Sequence, residues 1–218
     1  MTVKEFIKTW PILKKQVRTL QLPWLENFAA LDRDPFKVLI SCILSLRTQD
    51  KTTRAASERL FKLSSTPEAL SRLSIKNIEK AIYPVGFYRV KAGTIKNISR
   101  EIIQQHGSRV PDTLEALLTL KGVGRKTANL VLTRGFNKYG ICVDTHVHRI
   151  TNRWGLVSTK SPDETEFALR ETLPKRYWKD LNGILVAFGQ SICQPISPFC
   201  SRCKIYSVCD KRGVGRHR

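Results

Sequence analysis

The sequence predicts an all-α protein, and three observations predict it. Helix-capping signals recur along the chain. No stretch sustains the apolar–polar alternation that a half-buried strand requires. The longest apolar run, Val38 to Leu46, is apolar on nearly every side of a helix, the pattern of a buried central element. A chain of 218 residues can bury one large core or two modest ones, and it contains no low-complexity linker and no internal repeat.

The elements follow in order. Residues 1–19 carry five Lys or Arg with Glu5, little Ser and no uninterrupted apolar core, which is unlike a targeting segment. Asp34-Pro35 offers an N-cap with proline at the first helical position, opening a helix that runs to about Leu46. Asp50 can cap the next helix, whose inner face carries Ala55, Ala56, Leu60 and Phe61. Thr66-Pro67 and Ser74 open two short helices. Asp112 with Glu115, and Ser161-Pro162 with Glu164, have the spacing of capping boxes.

Charge narrows the partners. Lys and Arg total 38 against 18 Asp and Glu, a formal net charge of +20 with a pI near 10.1. Such an excess attracts a polyanion, most simply nucleic acid, with an anionic membrane surface as the other candidate. The Val38–Leu46 run is too short, and too interrupted by serines, to span a bilayer. The expectation is a cytoplasmic, nucleoid-associated monomer of a prokaryote. Residues 201–218 hold six Lys or Arg against Asp210 alone, and KRGVGRHR reads as a loose basic tail, either a solvated end or a contact to nucleic acid.

The segment from Asp112 to Gly135 bears on the nucleic-acid contact. Leu114, Leu117 and Leu118 form one apolar face; Lys121, Gly122, Val123, Gly124, Arg125 and Lys126 follow; a second helix turns Ala128, Val131 and Leu132 inward, and Gly135 is placed to end it. Two helices joined by Gly-x-Gly form a tight hairpin whose outward amides, at a helix N-terminus, hold a phosphate without reading bases. Lys121 and Arg125 add flanking charge. Lys126 falls in the first turn of the second helix, where the helix dipole disfavours an ammonium and leaves neutral amine for attack. A lysine there is otherwise a solvated charge or a phosphate contact. Asp144, in a Val-Asp-Thr-His stretch, is placed to cap the following helix. His146 and His148, two residues apart, do not share a helix face, so His146 is expected to be structural or to face DNA and His148 to lie on the surface.

Cys193, Cys200, Cys203 and Cys209 have the spacing C-x6-C-x2-C-x5-C within 17 residues. Four thiolates that close saturate one metal centre, and all-sulfur ligation means zinc or an iron–sulfur cluster. A zinc ribbon uses two CxxC pairs, whereas here only Cys200 and Cys203 form one, so the asymmetric spacing favours a [4Fe–4S] cubane. Two disulfides in so short a segment are the alternative. With no ligand position left open, the centre is expected to be structural, folding a basic loop that holds Lys204 against phosphates. Cys42 and Cys142 read as core thiols.

LKGVGRKTANLVL at 120–132, VDTHVHR at 143–149 and the four-cysteine loop resemble the endonuclease III branch of the helix-hairpin-helix DNA glycosylase superfamily. SCILSLRTQDKTT at 41–53 and GFYRVKA at 86–92 fall where that family has its own signatures. The resemblance covers about residues 30 to 209. It implies two helical domains flanking an active-site cleft, one spanning 28–138 and including the hairpin, the other combining 1–27 with 139–218 and carrying the iron–sulfur cluster.

The resemblance also implies chemistry. Lys126 becomes the nucleophile that attacks C1′ of a damaged nucleotide, expels the base and forms a Schiff base, after which β-elimination cuts the strand. Asp144 stabilises the positive sugar or takes the proton from Lys126. Phe87 stands where the family has an apolar wedge, and Arg47, in the RTQ segment with Gln49, stands where bacterial relatives commonly have a glutamine entering the duplex. That departure could change the opposite-base preference; equally, Phe87 could be core and Arg47 a phosphate contact. The expected activity is a bifunctional glycosylase and abasic-site lyase acting on oxidised pyrimidines such as thymine glycol in duplex DNA. Alternatives are a monofunctional thymine, uracil or adenine mismatch glycosylase, whose branches typically lack lysine at the position of Lys126, and a non-catalytic protein that binds distorted DNA around a structural metal.

Overall fold

In a computed structural model describing Met1–Leu20 and Leu22–Arg218, every regular element among the described residues is helical. In chain order the helices are α1 (Val3–Val17), α2 (Trp24–Leu31), α3 (Pro35–Ser45), α4 (Asp50–Leu63), α5 (Pro67–Arg72), α6 (Ile75–Ile82), α7 (Tyr88–His106), α8 (Leu114–Thr119), α9 (Arg125–Leu130), α10 (Thr145–Arg153), α11 (Pro162–Thr172) and α12 (Trp178–Ser191). They form two compact units, one from Met1–Pro23 with Ile141–Arg218 and one from Trp24–Gly140. No helix among the described residues is long and apolar enough to cross a membrane.

The Trp24–Gly140 unit is built around α3. Pro35 opens it, and Asp34 Oδ1 accepts from the amides of Phe36 and Lys37, satisfying two of the orphan donors of the first turn. Phe36 and every residue from Val38 to Leu44 are buried. A helix with no polar stripe has to be enclosed, and α2, α4, α7, α9 and the π-helical turn Val131–Gly135 pack around it.

Three local expectations change. Asp50 is the first residue of α4 and not its cap: Gln49 is the cap residue without a side-chain bond, and the Asp50 carboxylate instead accepts from the Trp24 amide at 3.1 Å. Thr113, not Asp112, caps α8 through the Ala116 amide, and Asp112 is drawn away by Lys138 Nζ at 2.5 Å. Gly135 does end the second hairpin helix, but after a π-helical turn and without a left-handed cap. Its glycine is needed because a Cβ there would lie 3.0 Å from the Pro35 Cα.

The second unit has an aromatic core. The Thr2–Glu5 capping box starts α1, and Phe6, Trp10, Leu13 and Val17 then recur on one buried face. The Phe6 ring lies 5.1 Å from Trp10, 5.3 Å from Tyr177 and 6.4 Å from Trp154, which in turn lies 6.2 Å from Phe188. Ser161 caps α11 by accepting from the Glu164 amide.

The tail is not loose. The Arg218 backbone pairs with Pro198 and Ser201, its side chain donates to Ser197 O and Gln194 Oε1, and its guanidinium covers the Phe199 ring at 3.8 Å. The terminal carbonyls and rings of the cysteine loop give these cations partners that the sequence alone did not reveal. His148 is also not a free surface group: its Nδ1 lies 2.6 Å from Thr165 Oγ1, within a polar network with Asn152.

Trp154 is 1% exposed and joins three helices of its unit. Trp154→Ala is expected to cost about 3–5 kcal/mol of unfolding free energy, measured by urea denaturation.

Candidate functional site

The hairpin between α8 and α9 assigns different work to its two glycines. Gly122 has φ 96°, and a Cβ there would sit 2.7 Å from Thr94 Cγ2, so the turn and its packing on α7 both require glycine. Gly124 is extended, caps α9 and has open space where a Cβ would project. Within the turn, the Val123 amide donates to Leu120 O at 3.0 Å and the Lys121 amide to Glu101 Oε2 at 3.1 Å. Those two donors are spent on the fold. The start of α9, capped by Gly124, is the positive end of that helix, where an anion is favoured. Asn129 Nδ2 donates to Arg125 O at 3.0 Å and fixes the helix start from within the core.

Lys126 is the second residue of α9 and is exposed. Its charge acts on Cys42 of α3, whose thiol burial pushes up to about 12, so Cys42 is an inert core group. Lys121 is exposed and Arg125 half-buried, both at the N-terminal end of α9.

Arg47 and Phe87 form the other cluster of the Trp24–Gly140 unit. Arg47 follows α3 with φ 52°, and Phe87 precedes α7 with φ 56°. Phe87 is 62% exposed, so it is not a core residue. The Arg47 guanidinium lies 5.7 Å from the Phe87 ring centroid, and exposed Gln49 caps α4 beside them. Sequence reasoning passed over Lys91 and Thr48, which tie these two loops together. Lys91 is 7% exposed, its Nζ donating to Leu44 O, Leu46 O and Thr48 Oγ1, and burial pushes its ammonium down to about 8. The signal available was a lysine inside an otherwise apolar helical register of GFYRVKA.

In the other unit, Asp144 is half-buried and caps α10. Its Oδ1 accepts from both the His146 and Val147 amides at 2.9 Å, which holds the carboxylate at a fixed angle. His146 is half-buried: its Nδ1 lies 3.2 Å from Arg149 Nη2, and a Cβ at Gly189 would come within 2.4 Å of that nitrogen. The ring thus packs against α12.

Among the described residues none of the six cysteines is in a disulfide. Cys193, Cys200, Cys203 and Cys209 line one cavity, walled by Trp154, Phe188, Ile192 and Phe199. Arg153 Nη1 donates to Cys193 Sγ at 3.3 Å and the Lys211 amide to Cys209 Sγ at 3.4 Å. Burial raises the Cys200, Cys203 and Cys209 thiols, Cys203 to about 11. Among the described residues no three or more Cys, His, Asp or Glu side chains are grouped closely enough to hold one metal ion. Four cysteine sulfurs lining one cavity are a donor set that fits a centre ligated by thiolates alone.

The family described as HhH-GPD superfamily base excision DNA repair protein matches residues 40–175. Endonuclease III of Thermotoga maritima is 48% identical over 190 residues, spanning 86% of this chain and 89% of its own. The chain belongs to the endonuclease III family. Among solved structures, a non-covalent endonuclease III–DNA complex superposes with a TM-score of 0.85 at 29% identity, covering 97% of this chain and 96% of that one. A trapped endonuclease III–DNA covalent intermediate, an estranged-adenine complex, superposes at 0.77 with 31% identity, over 91% of this chain and 96% of that one. Family membership accounts for the hairpin and the basic balance together: both are means of gripping a phosphate backbone.

The two hairpin glycines are separable by experiment. Gly122→Ala is expected to lose about 1–3 kcal/mol of stability through its backbone strain and the Thr94 contact. Gly124→Ala is expected to lose less than about 1 kcal/mol. Its Cβ, projecting into open space, should nonetheless hold a DNA backbone away from the start of α9 and weaken binding to an abasic duplex on the order of tenfold, the worth of one charge-assisted hydrogen bond stretched out of range. Chemical denaturation and fluorescence anisotropy read the two effects.

Proposed function

We propose that this protein is a bifunctional DNA glycosylase and abasic-site lyase of base excision repair, removing oxidised pyrimidines such as thymine glycol from duplex DNA. One observation supports the reading: an exposed lysine stands at the second residue of α9, in the first turn of a helix whose positive end favours a phosphate. A phosphate so held brings the neighbouring sugar within reach of Lys126. The trapped covalent complex of a relative supports a nucleophilic mechanism over simple hydrolysis.

In the proposed reaction the neutral Lys126 Nζ attacks C1′ and the C1′–base bond breaks, the base leaving with its electron pair and acquiring a proton. The sugar ring opens and the amine becomes a protonated Schiff base. Loss of a C2′ proton then breaks the C3′–O bond, and water releases the lysine. Asp144 supplies the carboxylate that stabilises the positive sugar or takes the Lys126 proton, and the two amides on Oδ1 keep it oriented for that task. Phosphates are held at Lys121 and Gly122 through Arg125, and His146 positions the start of α10. Arg47, Gln49 and Phe87 enter the duplex to fill the gap left by the extruded nucleotide.

Cys193, Cys200, Cys203 and Cys209 hold the [4Fe–4S] cluster in this reading. The cluster serves as a structural centre, and the proton and electron-pair movements belong to Lys126 and Asp144. Loaded protein is expected to contain four irons and four acid-labile sulfides per chain. Cys203→Ser should lower both contents and broaden the thermal transition, whatever happens to activity.

Borohydride trapping tests the chemistry on two duplexes, one with thymine glycol and one with an abasic site. Wild-type protein should trap on both, and Lys126→Ala on neither. Trapping on the abasic duplex alone would keep the lyase and reassign the base removed. Base release without trapping would make the enzyme monofunctional. Binding should fall steeply with salt, as log K against log[salt] with a slope of about −0.9 per neutralised phosphate.

A further inference from the structure

Lys91 presents an energetic puzzle. It lies in the first turn of α7, is 7% exposed, and has no carboxylate partner among the described residues. A methionine or leucine would fill the same space without burying a charge, so the ammonium has to be explained by what it holds. Its Nζ donates to Leu44 O at 2.9 Å, to Leu46 O at 2.5 Å and to Thr48 Oγ1 at 3.2 Å. The first two acceptors are carbonyls orphaned where α3 ends at Ser45, the negative end of that helix.

Thr48 extends the knot. Its hydroxyl accepts from Lys91 Nζ and from the Gly86 amide at 3.1 Å, and donates to Leu46 O at 3.2 Å, which uses both lone pairs and the proton. The Gly86 backbone presses so closely on the other loop that a Cβ would lie 2.6 Å from Arg47 O. Immediately beyond each strand of this knot stands a non-glycine residue in the left-handed region, Arg47 and Phe87, with their side chains stacked. Such residues are strained and persist only where their surroundings fix them.

We propose that Lys91 is a positioning residue for base extrusion, its buried ammonium locking the loop after α3 onto the turn before α7 so that Arg47 and Phe87 enter the duplex as one pre-formed wedge. The proposal rests on the assignment of Arg47 and Phe87 as the inserting residues. Insertion has to offset the unstacking of the target base, and a wedge that was disordered beforehand would add its own ordering cost to that step. The lysine touches neither DNA nor the reacting atoms. It acts through the two loops.

The test compares Lys91→Met, which keeps the stem and removes the donors, with wild type on two substrates. One is a thymine glycol duplex under single-turnover conditions. The other is a single-stranded abasic oligonucleotide, where nothing has to be extruded and only the Schiff-base lyase is read. The duplex rate is expected to fall about tenfold and the single-strand rate to change less than about threefold, within the range of coupling between contacting residues. In an Arg47→Ala/Phe87→Ala background, Lys91→Met is expected to add less than about twofold, because the group it positions is gone. An equal fall on both substrates, or a full additional fall in that background, overturns the proposal. If Lys91→Met fails to fold, Thr48→Val decides: it removes the shared hydroxyl and should show the same split between substrates, and its absence overturns the proposal. If the double alanine variant itself leaves the duplex rate unchanged, the wedge assignment fails with it, a result distinct from additivity.

Discussion

Enclosure of α3 on every side is the constraint from which the Trp24–Gly140 unit follows. Because the helix offers no polar stripe, its neighbours are obliged to cover it, and each of its parts then fixes something else. At its start, Pro35 meets Gly135 and sets where the α9 run stops. In its middle, Cys42 feels the charge of Lys126. At its end, the released carbonyls are taken up by Lys91 from α7. The hairpin, the candidate nucleophile and the two left-handed loop residues are all positioned against one buried element.

The cysteine loop in the other unit solves a different problem. Residues beyond α12 have only short 3₁₀ turns, so their carbonyls cannot be satisfied by a ladder. Arg153, 6% exposed, reaches out of the aromatic core to Gln194 O at 2.8 Å and Pro195 O at 3.1 Å while touching Cys193 Sγ. Arg149 adds a bond to Cys193 O at 2.8 Å, and Arg218 closes the loop from its far side. Guanidinium groups suit this work, because each offers several donors in a fixed plane. The same helix that carries Arg149 and Arg153 starts at Asp144, so the candidate carboxylate and the sulfur-lined cavity share one rigid support.

A division of labour emerges in how the protein meets DNA. A net charge of +20 attracts phosphates, which are the same at every nucleotide, and gives affinity without sequence information, a task the proposed function shares with the start of α9. Discrimination of damage therefore falls to groups that engage bases, and the proposed function gives that task to the Arg47–Phe87 pair. Its arginine, planar and always charged, can stack and donate together.

The sequence alone determined the fold class, because recurring caps and unbroken apolar helical faces leave no alternating stretch for a sheet. It also made the hairpin legible through Gly122 and Gly124, and the four-cysteine spacing through residues close in the chain. Caps were legible only approximately: Asp112 and Thr113 are both competent, and Lys138, distant in sequence, draws Asp112 away. The remainder required tertiary structure, because it depends on partners that no local pattern encodes. Lys91 finds its acceptors more than forty residues earlier in the chain. The tail cations find theirs on the cysteine loop, and His148 finds Thr165 on the next helix. A long polar side chain reads as solvated from sequence because water is its default partner. Only the folded chain shows where a carbonyl has taken water's place.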